Sequence, residues 1–119
     1  MERKRVKRLN SLLKEVLAEV IMKEVKDPRM APLVTVASVD ITNDLHHAKV
    51  FVSIMGTDKE RRDTLEALES AAGFIATSAS KKVVMRYFPS LTFKLDTTVD
   101  EQMKIDTLLE KIHREEENR

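Results

Sequence analysis

Residues 65–83 read LEALESAAGFIATSASKKV. Leu65, Leu68, Ala72, Ile75, Ala79 and Val83 recur at steps of three or four, the spacing of one apolar helix face. In the middle of that stripe stands Gly73, one of only two glycines in the chain. A glycine inside a helix costs about 1 kcal/mol relative to alanine. The usual physical reasons for accepting that cost are a break in the helix or a backbone that something must approach closely. The stretch therefore predicts two helical segments meeting at Ala71-Ala72-Gly73. The second is expected to run to about Tyr87, with Pro89 ending it. From Ser70 to Leu95 there is no acidic residue, but there are Lys81, Lys82, Arg86 and Lys94. A helix break beside a purely basic stretch points to a polyanion.

Working outward, Thr57-Asp58-Lys59-Glu60 is a capping-box pattern that starts the first of these helices. Before it, two Val-rich runs, around Leu33 to Ile41 and Ala48 to Met55, flank the turn signal Thr42-Asn43-Asp44. They read as an antiparallel hairpin, with Val50, Val52 and Ile54 sharing one face. At the N-terminal end, Leu9, Leu12, Leu13, Val16, Leu17, Val20 and Ile21 form an amphipathic stripe. That helix is expected to stop before Asp27-Pro28. After Pro89, Leu91, Phe93 and Leu95 alternate with polar residues, a half-buried strand. Thr98-Val99-Asp100-Glu101 is a second capping-box pattern, followed by a short amphipathic helix through Ile105, Leu108, Leu109 and Ile112. The order is α-β-β-α-(kink)-α-β with a short C-terminal helix. It predicts an α+β domain, a three-stranded sheet with helices on one face.

The chain has 119 residues, enough for one domain with a real core. It has no cysteine, hence no disulfide framework or thiolate metal site, and a reducing compartment is the simplest fit. A charged N-terminus does not resemble a secretory signal, and no apolar run approaches the ~20 residues that cross a bilayer. A cytoplasmic protein is expected. The net charge of +1 hides an alternation. Residues 1–14 carry six Lys/Arg against one acid, and residues 70–95 four against none. Residues 15–69 carry seven against eleven, and residues 96–119 four against eight. Such a chain can present a positive face to nucleic acid while staying near neutrality, unless folding scatters the charges over solvated faces.

The candidate phosphate contacts are Arg3, Lys4, Arg5, Lys7 and Arg8 at the start of the first helix and Lys81, Lys82 and Arg86 after the break. Cations at a helix N-terminus oppose its dipole, so helix stability does not account for them. On a continuous helix, Lys82 and Arg86 would share a face. Arg29 fits a phosphate contact and equally a pair with Asp27. Ala71 and Gly73 fit close approach by a nucleotide and also relief of crowding between helices. Phe51, Phe74 and Phe93 lie in apolar patterns and are expected in the core, as are the methionines. With so few aromatics, backbone and shape recognition of folded RNA is favoured over base stacking. Adjacent His46 and His47 point to opposite faces of a strand and make a poor chelate. No nucleophile–base constellation is visible, so no catalytic residue, metal or cofactor is assigned.

Taken together and in order, these residues resemble the ribosome-binding factor A family. The resemblance rests on the basic first helix followed by Val25-Lys26-Asp27-Pro28-Arg29. It continues through Val34-Thr35-Val36, Thr42 to Ser53, Ala71-Ala72-Gly73-Phe74-Ile75 and Met85 to Phe93. It implies a type II KH-like domain, here residues 1–112, with Ala71 and Gly73 in place of a GxxG loop and residues 113–119 as a short polar tail. It further implies binding to free or immature 30S ribosomal subunits through 16S rRNA. The implied role is late subunit maturation, including processing of the 5′ end of that RNA, and importance for growth in the cold. It implies a monomer acting by binding, with no membrane and no small-molecule substrate. The chain departs from the family pattern at Ala76, where arginine is frequent, at Ala79, where a large apolar residue is usual, and at Ser90 of Pro89-Ser90-Leu91. A protein–protein adaptor using the hairpin edge or the last helix, without RNA contact, is the alternative reading.

Overall fold

Strand β2 (His47–Ile54) is the middle of the sheet. Its Ala48, Val50, Val52 and Ile54 are all buried, while Lys49 is exposed and Phe51 and Ser53 are half-buried on the opposite face. This period of two places one face of the strand in the core. The computed structural model describes residues 2–97, arranged as α1 (Glu2–Glu24), β1 (Val34–Ile41), β2, α2 (Asp58–Ser70), α3 (Ala72–Ser80) and β3 (Ser90–Leu95). β1 pairs with β2 antiparallel, and β3 pairs with β2 in parallel. A parallel pair cannot be closed by a tight turn, so α2 and α3 form the crossover. All three described helices pack on the buried face: α1 lies against β1 and α3, and α2 and α3 lie against β3. The α+β architecture is therefore as expected, and the C-terminal helix expected after Thr98 lies outside the described residues.

β1 contains one irregularity. The register shifts between Val36 and Ser38, so Ala37 is a bulge residue. Val36, Val39 and Ile41 are buried, a step of three followed by two. Strict alternation from Val36 would have turned Ser38 and Asp40 inward, and the bulge turns Val39 and Ile41 inward instead. Phe93 in β3 and Leu13, Leu17 and Val20 in α1 complete the core with Leu68, Ile75 and Val83. Burying a side chain of this size contributes about 1.5–3 kcal/mol relative to exposure. The apolar stripe of residues 65–83 is thus the core-facing side of the crossover.

Side chains tie the layers together. Asn10 Oδ1 accepts the Ile41 N–H at 2.9 Å, holding the basic half of α1 to the end of β1. Thr64, fully buried in α2, accepts the Ala31 N–H at 2.9 Å and donates to the Arg29 carbonyl at 3.3 Å. It fixes the connection between α1 and β1 against α2. The capping box at Thr57 and Glu60 forms in both directions, each bond 3.1 Å.

Several expectations change. The helix expected to reach Tyr87 ends at Ser80. Thr77 Oγ1 bonds to the Gly73 carbonyl at 2.9 Å and Ser80 Oγ to the Thr77 carbonyl at 2.7 Å, local bonds that compete with helix propagation. The β-branched pair Val83-Val84 follows, and Val83 is drawn into the core. Phe74 is 53% exposed rather than core, because it falls on the outer side of α3. Phe51 is half-buried on the open face of the sheet. Met22 and Met55 are exposed and fill no gap in the core.

Gly56 precedes the capping box at φ 152°, and a Cβ there would stand 3.1 Å from two Glu60 side-chain atoms. Gly56→Ala should therefore destabilise by about 1–3 kcal/mol, read as a lower urea midpoint. Thr64→Val leaves the part-buried Ala31 N–H without its acceptor and should cost about 1 kcal/mol in the same assay. Wild-type midpoints for both would contradict the roles given to these residues.

Candidate nucleic-acid interface

The junction between α2 and α3 is a break at Ala71, not at Gly73. Ala71 has φ −92° and ψ 2°, the sparsely allowed bridge region, and serves both as C-cap of α2 and N-cap of α3. Its N–H reaches the Ala67 carbonyl at 3.0 Å, and its carbonyl accepts the Ile75 N–H at 2.8 Å. No side chain caps α3, and its first turn carries no acid. Gly73 lies in that first turn. A Cβ built there meets nothing within 4 Å. Neither a kink nor crowding inside the molecule requires this glycine. The remaining physical reason is close approach from outside.

The candidate cations divide into three groups. Arg3, Lys4, Arg5, Lys7 and Arg8 fall in the first two turns of α1, and the side chains of Lys4, Arg5, Lys7 and Arg8 are exposed. Lys81, Lys82 and Arg86 follow α3 in the connection to β3, so Lys82 and Arg86 do not share a helix face as expected. Lys82 turns toward α1, where its Nζ lies 3.3 Å from Glu19 and 3.9 Å from Glu24. Lys81 is exposed. Arg29 pairs with Asp27: its guanidinium holds the carboxylate at 2.8 Å and its backbone N–H donates to the same carboxylate at 2.9 Å.

These interactions show in the titration of the acids. The hydrogen bond from Lys82, then its charge, holds the Glu19 carboxyl below the ordinary range, with Lys23 adding to it. Arg29's side chain and then its backbone N–H lower Asp27, and Asp27 raises Arg29 in turn. Asp44 is lowered by the Thr42 hydroxyl and the His46 N–H. All lie at the surface, where such pairs contribute little to stability. At Lys82 and Arg29 an external anion would compete with these carboxylates, whereas the start of α1, Lys81 and Arg86 are not drawn into these pairs.

One concavity gathers residues far apart in sequence. Arg5 and Arg8 of α1, Leu45 and His46 of the hairpin, and Arg86 and Tyr87 after α3 line a groove of about 520 Å³. The Arg86 guanidinium lies over the Tyr87 ring, 5.5 Å from its centroid. The sequence points to Arg5, Arg8 and Arg86 as phosphate contacts but leaves Tyr87, set apart from the core aromatics, without an assigned role. The signal was present: an aromatic beside an arginine just ahead of Pro89, outside any apolar stripe. Among the described residues no cluster of His, Cys, Asp or Glu could hold a metal ion, and no described helix is long and apolar enough to cross a membrane.

Residues 5–109 match the sequence profile of the family described as Ribosome-binding factor A. Ribosome-binding factor A of Protochlamydia amoebophila is 58% identical over 115 residues, 97% of this chain and 88% of that protein. The crystal structure of ribosome-binding factor A from Thermus thermophilus superposes with a TM-score of 0.68 at 30% identity, covering 76% of this chain and 93% of that one. A homology model of the Thermus thermophilus factor, fitted into a cryo-electron microscopy map of a 30S–factor complex, matches with a TM-score of 0.63 at 30% identity. It covers 75% of this chain and 92% of that one. With the helix break, the basic first helix and the sheet order already in place, these matches settle the relationship: the chain belongs to the ribosome-binding factor A family.

Proposed function

We propose that this chain binds free, immature 30S subunits in the cytoplasm through 16S rRNA and promotes their late maturation, including 5′-end processing of that RNA. It acts by binding rather than by chemistry, and the need for it is greatest in the cold, when alternative RNA structures are slow to rearrange. Residues 1–112 form the binding unit and 113–119 a polar tail. The observation that carries this reading is Gly73: an exposed glycine in an uncapped first turn, with nothing in the molecule within 4 Å of a Cβ. The family relationship, and the 30S complex of the Thermus thermophilus factor, support the choice of partner.

In this mechanism the uncapped start of α3 offers backbone N–H groups to a phosphate, and Gly73 allows the RNA backbone to come close. Exposed cations at the start of α1 and Lys81 add affinity through counterion release, without reading sequence. Holding one rRNA arrangement until maturation requires only that the immature subunit bind more tightly than the mature ribosome.

Gly73→Ala separates this reading from a structural one. The added methyl has room, so the variant should be about 0.5–1 kcal/mol more stable in urea. Its co-sedimentation with free small subunits should nevertheless weaken. Unchanged binding would remove close approach as the reason for the glycine. In a second measurement, Lys4→Glu, Lys7→Glu and Lys81→Glu together should weaken subunit binding and make it less salt-dependent, by roughly one unit of slope for each phosphate no longer neutralised. Lys82→Glu is unsuitable, because it would set three acids together at Glu19 and Glu24. A wild-type salt slope in the triple variant would place the interface elsewhere.

A further inference from the structure

The groove between α1, the hairpin and the connection before β3 is separate from the α2–α3 junction: no residue of either helix lines it. Its floor is Leu9, Leu45 and Met85, each half-buried against the core. Its walls are Leu12, Val84 and Tyr87, which are 42%, 105% and 66% exposed. Three large apolar side chains left facing water around one concavity mark a surface that something covers. Leu45 adds a second observation. It is the only non-glycine residue with positive φ among those described, at 63°. For a bulky side chain this is a strained conformation, and such strain collects at binding sites.

The electrostatics indicate what the groove takes. Arg5, Arg8 and Arg86 surround it against a single carboxylate, Asp44. Asp44 is already occupied by the Thr42 hydroxyl at 2.6 Å and the His46 N–H at 3.0 Å. The Tyr87 ring and the Arg86 guanidinium, 5.5 Å from the ring centroid, offer two flat surfaces of the kind on which bases stack. At about 520 Å³ the groove falls within the ~300–1,000 Å³ of sites that enclose a small ligand. We propose that this groove is a binding site for one unpaired nucleotide of an RNA strand. The base lies against Tyr87, Leu12 and Val84, and the flanking phosphates lie on Arg5, Arg8 and Arg86. This proposal rests on the reading that the chain binds RNA, and it adds a site for unpaired RNA on a second surface.

The chain contains one tyrosine and no tryptophan, so tyrosine emission reports this groove alone. The full chain is titrated with a short oligouridylate, with a blunt duplex RNA of equal length and with an acidic peptide. Free tyrosinamide corrects for absorption by the added ligand. Saturable quenching by the single strand, with little effect of duplex or peptide, is the expected result. Tyr87→Leu should weaken binding of a labelled oligouridylate roughly five- to a hundred-fold by anisotropy, the range typical of losing one stacked base. Arg8→Ala should weaken it as well. Unquenched emission at saturating oligouridylate, or wild-type affinity in Tyr87→Leu, overturns the proposal. Equal quenching by duplex overturns the unpaired nucleotide, and quenching by the peptide alone overturns RNA as the occupant. Co-sedimentation with small subunits distinguishes the two levels: if it persists while quenching fails, only the groove assignment falls, and if both fail, RNA binding itself falls.

Discussion

The structure depends on one constraint: β2 must be hydrogen-bonded on both edges while burying a single face. Ala48, Val50, Val52 and Ile54 leave no freedom of register, because a slip of one residue would expose all four. Antiparallel pairing with β1 places the hairpin turn at one end of the sheet. Parallel pairing with β3 then requires a crossover, and α2 and α3 provide it across the same face that α1 covers. Two points along that crossover carry the two proposed surfaces. Its middle is the uncapped start of α3, and its exit brings Arg86 and Tyr87 beside Arg5, Arg8 and the hairpin turn.

The parts of this fold legible in the sequence were those set by local chemistry. The capping box at Thr57 and Glu60, the stop before Asp27-Pro28, the strand alternation and the stripe from Leu65 to Val83 all appear where their spacing placed them. The end of α3 was not legible in that way. It depends on hydroxyl-to-carbonyl bonds from Thr77 and Ser80 and on the burial of Val83. A helical period read through Lys81 to Tyr87 cannot register either effect. The misjudged helix end also misplaced Lys82, Arg86 and Tyr87. The bulge at Ala37 was readable in principle, since Val36 and Val39 are three apart rather than two. The Arg29–Asp27 pair needed the geometry to be seen.

The two glycines differ in what the molecule itself asks of them. Gly56 is required from within, by a positive φ and by Glu60, whose carboxylate completes the cap of α2. Gly73 is required by nothing within the described residues: its backbone is helical and its surroundings are open. The same contrast orders the cations. Lys82 and Arg29 serve the molecule's own carboxylates, whereas the start of α1 and Lys81 offer charge to solvent. In the proposed function, that outward charge and the helix start both face RNA, and the sheet's uncovered face takes no part.

Site-directed photocrosslinking to small subunits tests this arrangement most directly. A photoreactive side chain is placed in turn at residues 73 and 7, near the helix break and on the basic helix, and at Thr92 and Ser38 on the open face of the sheet. The account predicts rRNA crosslinks from 73 and 7 and none above background from 92 and 38. Crosslinks confined to the sheet face would contradict it.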